Sequence, residues 1–275
     1  MRTRIYGKML NSEIEEYLER NDIVFVPVGT TECHGGLPVD TETVLGEAFA
    51  LKLAEKCDGL VLTNLPYFAP GATLVGRGTI QMGIRQGADY LYALATSLLH
   101  QGFRRQIYLT GHGPNHMTIS PVVRDFFEDT GVSILQLDMA KFIFSNYVGR
   151  FDMDTFNDMN IAGYQIMGRL EDVPLTTEFS EPRPMVSDKF AYLKSFGYQS
   201  AAFGYYFTDP KEHGATPALP DAETRKQCAD RGEAFIDRLV EDIKIEQVVE
   251  ELRQLHEYNR EVIRTHPWVP AAWAK

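Results

Sequence analysis

The chain has 275 residues, 44% of them apolar, enough for a continuous core in one large domain spanning 1–275. Its 27 basic and 38 acidic residues leave a formal net charge of -11, which repels nucleic acid and anionic membrane surfaces. Cys33, Cys57 and Cys228 are odd in number and widely spaced, so a reducing cytoplasm fits better than a disulfide framework, and with no apolar leader and no run of eighteen apolar residues the expectation is a soluble, unexported protein.

Ser12 with Glu15 three positions on, then Ile14, Tyr17 and Leu18 at helical spacing, predicts a capping box opening a short amphipathic helix. The continuous apolar run IVFVPV (23–28) predicts a strand covered on both faces. A helix over about 43–56 follows, with Val44, Leu45, Phe49 and Leu53 on one side. The cycle repeats: a strand at GLVLTNL (59–65), a helix over 87–102, a strand at QIYLTG (106–111), a helix over 120–131 stopped by Gly131, and a strand at VSILQLD (132–138). Such alternation requires crossover connections, which favour an α/β fold with a mostly parallel central sheet and helices on both faces; ligands then bind outside the carboxyl ends of the strands.

Residues 145–200 are less regular, with a helix near 154–170 and a Pro-containing stretch VPLTTEFSEPRPM that reads as an active-site or interface loop. AAFGYYF (201–207) predicts a further strand, TDPKEHGATPALPD a loop, and 222–243 a long helix. Val248, Val249, Leu252 and Leu255 predict a C-terminal helical arm from about 245, ending in THPWVPAAWAK, whose two tryptophans suit packing on another subunit or on the chain itself.

The chemistry concentrates where the first strand ends, in TTECHGGLPVDTE. Glu32 and His34 are two apart, so in extended backbone both face one side, while Cys33 faces the other as a small buried thiol. A carboxylate with an imidazole suits zinc, manganese or a similar divalent ion. At the end of the third strand, YLTGHGPNH sets His112 between Gly111 and Gly113, glycines that let the backbone turn sharply and approach a ligand. A parallel sheet brings both loops to one edge.

These segments together resemble the creatininase (creatinine amidohydrolase) family, whose pattern is a strand ending P-x-G-S/T-x-E-x-H-G, then L-P-x-x-T-D, and later N-G-H-G-x-N. GRGTIQM resembles that family's P-G-T-I loop, and FTDPKEHGATPALPDAETRKQCADRGEAF its G-D-P…A-T…K-G segment before the last helix. The resemblance implies a three-layer α/β/α enzyme that uses two divalent ions, zinc or manganese, to activate a water that hydrolyses small cyclic or linear amides, in an assembly that is often a hexamer. Carried onto this chain, it implies metal ligation by Glu32, His34 and His112. The bridging acid falls on Glu42, with Asp40 as the alternative because the residue relatives carry before Leu-Pro is missing. An acid two positions after the loop histidine, or one in a later A-G-E-x-E-T-S motif, completes the second metal site in many relatives. Here Pro114 holds the first position and IAGYQIMG (161–168) has no acid, so one ion instead of two stays open, with Glu178 or Glu171 as substitutes.

Beyond the ligands, His213 in KEHGATP is a candidate for proton shuttling or substrate contact, and Glu178 for acid catalysis. Arg77, with Gly78 and Thr79 on a glycine-flexed loop, is a candidate for binding an anionic or carbonyl substrate, and His116 for support of His112 or substrate contact. Tyr205 and Tyr206 read as core and sheet-surface aromatics. The expected function is metal-dependent hydrolysis of a C–N bond in a small polar molecule. Hydrolytic opening of a cyclic ketone such as a keto-inositol is the first alternative, and a non-catalytic metal- or ligand-binding relative the second. The expected partners are a small-molecule substrate and further copies of the chain, with no nucleic acid and no membrane.

Overall fold

In a computed structural model of the chain, the described residues are 1–147, 149, 152–178, 189–197, 203–214 and 217–269. Strand β1 (Ile23–Pro27) buries all five of its residues, and its alternation divides the interior in two. Ile23 and Phe25 enter one core with Ile107 and Leu109 of β3 (Arg105–Thr110), while Val24 and Val26 enter the other with Tyr108. With β2 (Leu60–Val61) and β4 (Leu135–Asp138), these strands form a sheet ordered β2-β1-β3-β4, parallel throughout, with Phe25 beside Val61 and Ile107, and Ile107 beside Leu135.

Helices cover both faces, as the alternation predicts. On the Phe25 side lie α2 (Thr41–Cys57), α5 (Met139–Asn146), α6 (Met153–Ile166), α7 (Ala222–Ile243) and α8 (Ile245–Thr265), contributing Phe49, Leu53, Met139, Met159, Ile236 and Leu252 to the core. On the Val24 side, α1 (Asn11–Leu18), α3 (Ile84–Gln101) and α4 (His116–Thr130) contribute Tyr17, Leu91, Leu98, Ile119 and Phe126. Burying each such side chain stabilises the fold by roughly 1.5–3 kcal/mol. Among the described residues, no helix is long and apolar enough to cross a membrane.

Several local expectations change. The capping box lies two residues early: the Leu10 N–H donates to Glu13 Oε2 at 2.7 Å, and Glu15 instead accepts from the Asn11 side chain inside the helix. Strand β2 has only two residues; Leu62 N–H still bonds Phe25 O, and by Asn64 the chain has turned to φ 71, its N–H donating to Glu47 Oε1 at 2.7 Å. Residues 203–207 form no strand; Phe207 N–H donates to Ala72 O instead, and 201–202 lie outside the described residues. Helix α5 was not foreseen: Asp138 ends β4 and at once caps α5, accepting from Lys141 N–H at 2.8 Å.

Helix α8 folds back onto its own chain, burying Ile245, Val249 and Leu252. His256 Nε2–H donates to Ser133 O at 2.6 Å, and the Asn259 amide to Ser133 Oγ at 3.0 Å. Of the two tail tryptophans, Trp268 is 67% exposed and Trp273 lies outside the described residues.

Gly232 of α7 sets the tightest of these approaches. A Cβ there would stand 1.9 Å from Asp158 O on α6. Gly232→Ala is therefore expected to cost about 1–3 kcal/mol and to lower the melting temperature by roughly 2–4 °C per kcal/mol; an unchanged melt would mean the helices part at no cost. Burial depresses His256 below its ordinary value, so its stabilising effect is complete above the unfolded pKa of about 6.5 and is lost as pH falls towards the depressed folded value. Denaturant titrations at pH 7.5 and 5 should show a smaller acid loss in His256→Gln than in the wild type.

Candidate active site

The loop after β1 is fixed residue by residue before any acid enters the site. Val28 N–H donates to Leu109 O, and Gly29 N–H to Leu65 O. The Thr43 hydroxyl accepts from Thr30 N–H at 3.0 Å and donates to Thr30 O at 2.7 Å, tying the loop to α2. Glu32 N–H then donates to Val39 O, and Cys33 N–H to Thr79 Oγ1, while Cys33 Sγ faces Thr73 O at 3.6 Å. Glu32 and His34 are thus turned inward on the alternation the sequence predicts.

The second loop is built the same way. The Thr110 hydroxyl accepts from His112 N–H at 3.0 Å, and the Asn115 amide donates to Val28 O at 2.9 Å and Gly29 O at 3.1 Å, joining the two loops. Neither Gly111 nor Gly113 adopts a positive φ, so the turn at His112 does not depend on glycine as expected. His112 Nε2 lies 3.2 Å from Ala69 O; with the proton held there, Nδ1 becomes the lone-pair donor facing the acids.

Ligand atoms of Glu32, His34, Glu42 and His213 all lie within 4.8 Å of one another. His112 Nδ1 joins them, hydrogen-bonded to Glu42 Oε2 and 3.1 Å from Glu32 Oε1. His213 Nε2 stands 3.5 Å from Glu32 Oε1, and the rings of His34 and His213 meet edge-on at 4.9 Å. The Thr73 hydroxyl donates to Glu32 Oε2, leaving Oε1 to face the histidines.

This group fits a divalent cation. Glu32 Oε1, His34 Nδ1 and His213 Nε2 are buried without a hydrogen-bond partner, at a cost of about 1–3 kcal/mol each unless something else engages them. Carboxylate and imidazole donors are the set that zinc and manganese take. Asn160 supports His34 from α6, its amide 3.2 Å from Nε2. Asn160 Oδ1 also lacks a partner; turned over, the amide accepts the Nε2 proton and leaves His34 Nδ1 as the lone-pair donor.

The electrostatics agree. Burial alone would raise the Glu32 carboxyl, but His112 and His213 hold it well below the usual carboxylate range. Burial and the nearby His213 push His34 down to about 3, keeping it neutral. Burial raises Glu42, helped by repulsion from Glu32 and opposed by His112. Burial works against a charge on His112, yet Glu42 and Glu32 raise it well above its ordinary value. Glu42 and Glu32 thus favour positive charge at His112 Nδ1, the same preference that would draw a metal ion to the space between the two carboxylates.

Other candidates sit elsewhere. Asp40 is paired with Arg169 at 2.8 Å and accepts from Tyr164 OH at 2.6 Å, so of the two acids after Leu37-Pro38 it is Glu42 that turns into the cluster. Glu171 is bound to Arg225 with its side chain 86% exposed, and Glu178 is exposed. Arg77 and Gly78 are exposed; Thr79 braces the loop, its hydroxyl donating to Thr73 O at 3.0 Å. His116 Nδ1 lies 2.8 Å from Gly113 O, away from the cluster. Thr73, Asn115 and Asn160 were not singled out in the sequence; only Asn115, inside the HGPN stretch, carried a signal.

Glu42, His112 and His213 open into a cavity of about 210 Å³, the size of a small ring compound. Its walls are mainly apolar, with Ile143 and Phe144 from α5, Phe156 from α6, and Tyr205 and Phe207 from the segment predicted as a strand. Tyr205 therefore faces a ligand space, whereas Tyr206 is 65% exposed.

Comparison with known proteins follows this geometry. The sequence profile of the creatininase family (creatinine amidohydrolase) matches residues 7–165. A curated relative, 3-dehydro-scyllo-inosose hydrolase of Thermotoga maritima, is 33% identical over 110 residues, a stretch that is 39% of this chain and only 35% of the relative. A crystal structure of creatinine amidohydrolase (creatininase) covers 92% of this chain and 99% of its own at TM-score 0.63 and 19% identity. A putative creatinine amidohydrolase from Bacteroides fragilis covers 93% of this chain and 98% of its own at TM-score 0.63 and 18% identity. A manganese form of creatininase and a Zn–Zn form of a creatininase mutant share the fold at TM-scores of 0.55 and 0.54 and identities of 18% and 17%, covering 88% and 89% of this chain and 100% of each of theirs.

Zn²⁺ or Mn²⁺ added to chelator-treated protein should raise the melting temperature, since ligand at 100 times its Kd adds about 2.7 kcal/mol. Glu32→Gln should abolish that increase, and a wild-type melt insensitive to both ions would remove the case for a metal centre.

Proposed function

The chain belongs to the creatininase family of metal-dependent hydrolases, and from that premise we propose that it adds water to a ring carbonyl of a small cyclic ketone and opens the ring at the adjoining C–C bond. The observation that carries the hydrolytic reading is the convergence of three buried donors without a hydrogen bond, those of Glu32, His34 and His213, in the cluster from which Glu42, His112 and His213 open into a small cavity. The choice of ketone over amide is supported by the 33% identity to an inosose hydrolase over 110 residues.

Glu32, His34, Glu42 and His112 would hold the metal, with Thr73 fixing the Glu32 carboxylate and Asn160 the His34 ring. A bound divalent ion supplies Lewis acidity and brings the pKa of water from about 15.7 towards roughly 7. Phe156 and Phe207 form an apolar wall beside the polar groups of Glu42, His112 and His213, against which the carbon frame of a small ring can pack. Opening a carbocycle adds the water oxygen to one carbonyl carbon and breaks the C–C bond beside it. The released electron pair is held by a second carbonyl in β position until that carbon takes up a proton. A delocalised leaving group of this kind needs no acid beside it in the transition state. An amine leaving group needs one. Hydrolysis of a cyclic or linear amide, the reaction of the family's namesake, is the second reading, supported by the family profile.

The wider assignments belong to the same proposal: one domain over 1–275 with a helical arm from about 245, two ions per chain, a homo-oligomer such as a hexamer, and residence in the cytoplasm. The unpaired Cys33, Cys57 and Cys228 fit the last of these, and light scattering tests the oligomer.

Metal-loaded protein should convert cyclic 1,3-diketones, inositols oxidised at two such ring carbons among them, to open-chain keto acids. Glu32→Gln should lower kcat/KM by about 10²-fold or more. Ring opening of creatinine to creatine, or amine release from a linear amide, would install the second reading, and no turnover of either class would overturn both.

A further inference from the structure

His213 lies far along the chain from the other donors, yet the geometry points to it as a metal ligand that completes the second ion's site in place of the acid lost at Pro114. This rests on the metal-dependent reading above. Two four-coordinate ions offer eight positions. A bridging carboxylate fills two, and Glu32, His34 and His112 fill three more. With His213 as the fourth terminal donor, each ion keeps one open position; without it, one ion is held by too few protein groups to stay bound.

The surroundings of His213 are those of a positioned ligand. Its side chain is only 18% exposed, and Nε2 is buried without a hydrogen bond, 3.5 Å from Glu32 Oε1, which likewise accepts none. Phe207 stacks on the imidazole at 5.9 Å and 24°, fixing the ring plane. The turn Pro210–Glu212 that delivers it is capped by Asp209, which accepts from Lys211 N–H at 2.9 Å. Gly214 then adopts φ +74, and a Cβ there would stand 3.0 Å from the His34 carbonyl carbon, so the absence of a side chain lets the loop lie on the backbone of another ligand. A mobile surface histidine or a proton shuttle working through solvent needs none of this.

The test is metal content per chain and the visible absorption of the Co²⁺-substituted protein, for the wild type, His213→Gly and His213→Asp. Wild type should hold two equivalents. His213→Gly should keep about one, or bind the second at least 10–100-fold more weakly, with a changed Co²⁺ spectrum. Added imidazole should restore both content and spectrum, and His213→Asp, which supplies another donor, should keep the second ion. Two equivalents with an unchanged spectrum in His213→Gly, or a loss that imidazole does not repair, would overturn the assignment of His213 while leaving the metal-dependent reading intact. Wild type that takes up no divalent ion would instead overturn that reading, and this inference with it.

Discussion

The burial of Glu32 is the constraint on which the rest of the site depends. A carboxylate 1% exposed has lost its water, and several kcal/mol must come back from neighbours. Thr73 supplies one hydrogen bond, His112 and His213 supply positive charge, and a cation would supply more. This explains the density of backbone hydrogen bonds around Thr30, Thr31 and Cys33, because a charge can be kept out of water only if its partners cannot drift away. It also explains why the loops after β1 and β3 are pinned together through Asn115.

Elements governed by local pattern were legible in the sequence. The β1 run, the helical faces of α2 and α7, and the stop at Gly131 follow from side-chain periodicity and backbone preference, and from them came the parallel sheet and its functional edge. What could not be read depended on partners distant in sequence. Asp40 and Glu42 both follow Leu37-Pro38, and nothing local separates them. The choice is made by Arg169 and Tyr164, which hold Asp40 outside, and by His112, which receives Glu42. In the same way 203–207 has the composition of a strand, but Phe207 N–H bonds Ala72 O and Tyr205 and Phe207 line the cavity, an arrangement set by residues more than a hundred positions away.

The two cores divide the work. The side bearing α3 and α4 packs around Tyr17, Phe103 and Phe126 and contributes scaffold. On the other side, α2 begins beside the cluster and carries Glu42, α6 carries Asn160, and α5 and α6 furnish the cavity wall. Substitutions on the first side should therefore act through stability, and those on the second through both stability and chemistry.

The order of the donors along the chain has a consequence for biosynthesis. All four strands of the described residues, with Glu32, His34, Glu42 and His112, lie within the first 138 residues, while His213 leaves the ribosome on the order of several seconds later. A nascent chain that has paired its sheet already presents most of a metal site with its roof missing. The loop that seats Gly214 against the His34 backbone is thus the last piece of the cluster to be made, and it is contributed by residues that the sheet itself does not need.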